Sequence, residues 1–133
     1  MSKSHQMAKS LPFSVEYIIR SSPTILYNFI TSPDGLCQWF TDEVDINDNE
    51  YVFKWEGSAE KATVIDFEED VFIRFQWEDG EPHEYFEFRI SKSPVTSDTI
   101  FTVTDFAEPG EEDDQRRLWN TQVADLIKQI GGA

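Results

Sequence analysis

Basic residues are scarce in this chain. Eleven Lys plus Arg stand against 26 Asp plus Glu, a formal net charge of −15. A surface that negative repels phosphate backbones and anionic lipid, so nucleic acid and membrane surfaces are excluded as partners. It leaves a basic protein surface or a cationic ligand open. Cys37 is the only cysteine, so no disulfide can form within the chain, and a reducing, cytoplasmic setting is expected. The two histidines, His5 and His83, form no Cys/His cluster. No metal or other cofactor is therefore implied, and a nucleophilic site would have to rest on His83 alone. A run of 18 apolar residues is absent, and so is a signal-peptide core, which argues against membrane insertion. A glycine-rich phosphate loop is missing as well.

Aromatic residues, by contrast, are plentiful. Eleven Phe and 4 Trp help bring the aromatic share of 133 residues to 14%, which excludes a disordered chain and suits one domain with a real core. Residues 1–11 read as a disordered leader, and residues 12–133 as a single domain.

Phe13, Val15, Tyr17 and Ile19 alternate along a first strand. Ser22-Pro23 and Ser32-Pro33 each supply an N-cap hydroxyl followed by proline at the first helical position. Two short helices follow. The first carries Ile25, Leu26, Phe29 and Ile30 on its apolar stripe; the second turns Leu36, Trp39 and Phe40 inward, with Cys37 half buried. Period-two segments then recur near residues 42–46, 50–56, 60–67, 71–78, 83–91 and 99–106, separated by turn residues such as Asp48-Asn49 and Asp79-Gly80. Such short connections imply an antiparallel meander. Its outer face mixes Arg74, Glu87 and Arg89 with Thr102 and Thr104, the two arginines pairing with Glu87 or Glu78.

The last segment, residues 111–130, is a well-specified helix: acidic residues at its start, Lys128 near its end, Gly131 as cap. Glu112–Arg116 and Asp113–Arg117 have favourable spacing. Trp119, Val123, Leu126, Ile127 and Ile130 form its buried stripe. About 20 residues give roughly 30 Å, enough to cross the sheet.

The order is thus α+β: strand, two short helices, about six antiparallel strands, long C-terminal helix. With the opening VEYIIRSSPTILYNFITSPDGLCQWF and the closing LWNTQVADLIKQI, it resembles the START-like, birch-pollen-allergen-like helix-grip superfamily. The nearest likeness is the small bacterial branch related to the activator of the Hsp90 ATPase. The resemblance implies a grip of sheet and helix around a space for ligand, and it spans lipid carriers, cyclases and co-chaperones. Where that branch often has a Pro- or Gly-rich loop after paired aromatics, Trp39-Phe40 here runs directly into TDEVDIND, which sets co-chaperone activity apart from the fold.

Within such a grip Trp39, Phe40, Phe53, Trp55, Phe75, Trp77, Phe86, Phe88, Trp119 and Val123 lie between sheet and helix, either as the wall of an apolar ligand cavity or as a filled core. Glu84 and Asp105 fall in phase with this face and are placed to orient a ligand's polar group, with a raised pKa if buried. Asp45, Asn47, Asn49 and Glu56 imitate a calcium loop, but Glu50 replaces the required glycine and the flanks are strands. The first expectation is a non-catalytic domain holding a small apolar ligand. The second is a protein-interaction module, a homodimer or a binder of a basic protein, using the acidic surface or an outer face with Phe72, Tyr85 and Ile100 exposed. A cyclase-like enzyme ranks third, with only Glu84 or Asp105 as base and no catalytic residue assigned.

Overall fold

The structure, a computed structural model, describes residues 10–131. Strand β1 (Leu11–Ile19) leads into helices α1 (Pro23–Thr31) and α2 (Pro33–Leu36). Six strands follow in sequence: β2 (Glu43–Asn47), β3 (Glu50–Trp55), β4 (Ser58–Glu68), β5 (Phe72–Trp77), β6 (Phe86–Lys92) and β7 (Thr99–Ala107). Helix α3 (Glu112–Gln129) closes the chain. The antiparallel sheet has the order β1-β7-β6-β5-β4-β3-β2. Consecutive strands β1 and β2 therefore occupy opposite edges, and α1 and α2 carry the chain from one edge to the other.

Local chemistry fixes these elements. Ser22 Oγ accepts from Ile25 N and Ser32 Oγ from Gly35 N, so each Ser-Pro pair caps a helix as its spacing predicts. Helix α2 is shorter than expected, one turn, and Trp39 and Phe40 lie on the turn after it. A side chain at Gly35 would meet Asn28 O and Phe29 Cα at 2.5 Å, so α2 is pressed against α1 and has no room to extend as an independent helix. The Trp39 indole N–H reaches back to Phe29 O at 2.9 Å and pins that turn inward. Cys37, expected half buried, is exposed on the outside of it. Ile25 is exposed too; the buried stripe of α1 is Leu26 and Ile30.

Strand β4 carries apolar residues on both faces because its register shifts between Val64 and Asp66. The extra residue, Ile65, is exposed, while Val64 and Phe67 both pair with inward-facing positions, Phe75 and Ile73. Strand β1 begins at Leu11, and Ser10 before it is buried, so the described part of the expected leader is ordered; residues 1–9 lie outside the described residues. On α3, Arg116 pairs with Glu112 as expected, but Arg117 bonds Asp114 rather than Asp113.

The core sits between the concave sheet face and the three helices. Trp119, Val123 and Leu126 of α3 are buried against it, with Ile127 and Ile130 packed alongside.

Candidate functional site

The rings predicted to line a cavity are brought together, and they pack on one another. Phe40 stacks on Trp119 at 5.9 Å and meets Phe53 edge-on at 5.0 Å. Phe75 stacks on Phe86 at 4.8 Å, and Phe86 on Trp77 at 4.8 Å. Phe88 touches Trp39, Phe40 and Trp119 at 5.4 to 5.8 Å. Such centroid separations are those of aromatic rings in mutual contact. Phe53, Phe75, Phe88 and Val123 have no exposure at all. The heart of the grip is therefore a tiled aromatic core, and space opens at its ends.

At one end Asp105 faces α3. Its Oδ2 accepts from Trp119 Nε1 at 2.9 Å and its Oδ1 from Phe106 N at 2.8 Å. Glu84 accepts from Ser10 Oγ, which also lies 3.1 Å from His83 Nε2. Burial raises the Asp105 carboxyl above its ordinary range; the two hydrogen bonds oppose this, and the nearby Glu84 charge adds to it. Asp105 thus fulfils the expectation of a perturbed carboxylate. Ser10 was assigned to the leader, because the alternating pattern that marks the strand starts only at Phe13.

This arrangement gives a prediction with a definite sign. A raised folded pKa means that the native state holds the Asp105 proton more tightly than the unfolded chain. Its contribution therefore falls as pH rises from about 3.9 through the folded value, and the charged carboxylate costs stability at neutral pH. Asp105→Asn keeps an acceptor for Trp119 and is expected to raise the urea midpoint at pH 7, the gain over the parent vanishing below about pH 4. Asp105→Leu strands the indole N–H and should cost about 1–3 kcal/mol. A gain that does not depend on pH would overturn this assignment.

At the other end lies the mouth of the grip, a hollow of about 320 Å³ lined by Cys37 to Asp42, Trp55 of β3, and Gln122 and Asp125 of α3. Trp55 is half buried, and its indole N–H is held by Phe40 O at 2.9 Å. Asp42 is oriented as well, its Oδ2 accepting from Glu56 N at 3.0 Å. Thr41 Oγ1 donates to Glu43 O and Lys54 O, each at 2.8 Å, which ties the turn to β3. Trp39, Phe40 and Trp55 were foreseen as lining residues. Asp42, Gln122 and Asp125 were not, since polar residues at a helix rim or turn carry no periodic signal.

The outer sheet face differs from expectation. Phe72 and Tyr85 are half buried beneath Arg89 and Arg74, each guanidinium 4.3 Å from a ring centroid, and Ile100 is half buried. Both arginines hydrogen-bond Glu87, at 2.8 to 2.9 Å.

A seven-stranded antiparallel sheet gripping one long C-terminal helix, with an open mouth beside that helix, defines a helix-grip domain of the α+β class. The chain belongs to the START-like superfamily, whose domain matches residues 7–132. It is similar to a Bacteroides fragilis protein solved by solution NMR: 34% identity over 94% of this chain and 93% of that one, TM-score 0.67. The fold is shared with the Aha1 dimer of Colwellia psychrerythraea, at 17% identity over 90% and 96% of the two chains and a TM-score of 0.76. It is shared also with an AHSA1-like protein of Aeromonas hydrophila, at 14% identity over 91% and 92% and a TM-score of 0.73. No curated protein matches the chain. Among the described residues, no helix is long and apolar enough to cross a membrane.

Proposed function

We propose that this protein is a non-catalytic START-like binding domain that takes a small, largely apolar molecule at the mouth of its grip. The observation that carries the reading is the hollow of about 320 Å³ between the 37–42 turn, the end of β3 and α3. Its volume falls in the range that ligand pockets occupy, roughly 300–1,000 Å³. Its floor is formed by Trp39, Phe40 and Trp55, with hydrogen bonds fixing the Trp39 and Trp55 indoles, so the apolar surface is preformed. Behind it the tiled core gives a rigid backing.

Native mass spectrometry of protein isolated from its own host provides the test. A retained small molecule is expected, and Trp55→Leu should weaken its retention by about tenfold, the loss of one aromatic contact surface. A bare mass in the parent, with Cys37 alkylated equally fast in host-isolated and solvent-extracted protein, would sink the proposal.

A second reading, self-association, has its own support. Edge strand β1 leaves Leu11 and Ile18 exposed, both near 60%, and the Colwellia relative is a dimer. Light scattering that reports a monomer at every concentration would count against it.

A further inference from the structure

We infer that the molecule taken at the mouth carries a positive charge: the hollow is a seat for an organic ammonium group with an apolar tail. This rests on the mouth being a ligand site, and adds the charge of its occupant. The lining of the hollow brings two carboxylates, Asp42 and Asp125, to opposite elements around one indole, and contains no Lys, Arg or His. Trp55 cannot turn away, because its N–H is committed to Phe40 O. Asp42 is likewise held toward β3 by Glu56 N. An adjoining hollow of about 380 Å³ shares Asp42 and Trp55, and adds Glu43, Glu56 and Lys54. The one cation there is engaged elsewhere: Lys54 Nζ sits 2.8 Å from Asp45 Oδ2.

The chemistry follows from this arrangement. An indole face attracts a cation through its quadrupole, and a fixed carboxylate adds Coulombic attraction. Each is worth about three- to tenfold in affinity at a half-exposed site. A neutral molecule of the same shape gains neither, and an anion is repelled by the two carboxylates and by the net charge of −15. Gln38 and Gln122 offer amide oxygens to the remaining N–H groups of an ammonium. The aromatic floor receives the tail.

Cys37 makes the site readable. It is the only cysteine, it is exposed, and it lines the hollow. The rate of its alkylation by uncharged iodoacetamide therefore reports occupancy, and the Trp55 indole N–H signal in NMR reports it independently. Benzylammonium, benzyl alcohol and benzoate serve as cationic, neutral and anionic probes of nearly one shape. Benzylammonium is expected to slow Cys37 alkylation and shift the Trp55 signal, with an affinity about tenfold or more above that of benzyl alcohol. Benzoate should do neither. In the double variant Asp42→Asn, Asp125→Asn, which keeps side-chain shape and the acceptor for Glu56 N–H, the two binders should come within about threefold of each other. An unchanged dispersion of indole signals would verify that the variant is folded.

If alcohol and ammonium bind the parent equally at Cys37 and Trp55, the charge assignment is overturned and the ligand-binding mouth stands. If no probe protects Cys37 and host-isolated protein is bare, both fall.

Discussion

Replacing Phe40 by alanine is expected to destabilise the domain by about 3–5 kcal/mol and lower Tm by about 10–20 °C. Phe40 is the ring on which the two halves of the grip meet. It stacks on Trp119 of α3 and meets Phe53, Trp55 and Phe88 edge-on, all with centroids within 6 Å. Its neighbours belong to different strands and a helix, so none can collapse into the vacated space without moving its own element. The cavity term should therefore approach its full value. Against a typical domain stability of about 5–15 kcal/mol, that loss is a third or more. Urea unfolding with an unchanged slope would confirm that native stability, and not the unfolded chain, has shifted. The void would also extend the mouth inward, so benzene should raise the variant's Tm and leave the parent's unaltered. A loss below about 1 kcal/mol would mean that the rings are not mutually packed.

The second large effect is expected on the opposite face. Glu87 is 5% exposed although it points away from the helices, because Arg74 and Arg89 close over it. Burial pushes its carboxyl up, but hydrogen bonds from Arg89 and Arg74, together with their charges, outweigh this and hold it below the ordinary range. A lowered folded pKa means stability that is present above about pH 4.3 and is lost as pH falls through the folded value. Glu87→Leu removes the shared acceptor and leaves two guanidiniums facing each other. Breaking a buried pair costs about 3–5 kcal/mol, but with the arginine side chains 32% and 41% exposed, solvent screens part of that. A loss of about 1–3 kcal/mol at pH 7 is expected, shrinking to nearly nothing near pH 2. Urea midpoints of parent and variant across that range would measure it. Equal losses at both pH values would show that the role of Glu87 is packing alone. The sign is opposite to that of Asp105, so the two carboxylates separate cleanly in an acid titration.

Period-two alternation of large aromatics announced the inner face from Phe53 to Val103, since each such residue has only one side of a strand on which to be buried. The Ser-Pro pairs announced α1 and α2, because capping is local chemistry. What escaped was set by tertiary packing. The length of α2 is decided by Gly35 meeting α1. The mixed faces of β4 are decided by a bulge against β5. Ser10 is decided by its hydrogen bond to Glu84, 74 residues away. The mouth was legible only in its aromatic half; Asp42, Gln122 and Asp125 are ordinary surface residues until the fold sets them around Trp55.

One feature of the sheet bears on how the chain is made. Leu11 pairs with Ala107 and Ile19 with Thr99, so the first strand synthesised can dock only after the last one exists. Loop closure across most of the chain precedes that docking, which places this domain among slow, high-contact-order folders. While the ribosome completes the remaining strands, the apolar side of Phe13, Val15 and Tyr17 has no native neighbour. The N-terminal strand of this protein is a closing clasp, dependent on its last strand and exposed to chaperones or misfolding until that strand arrives.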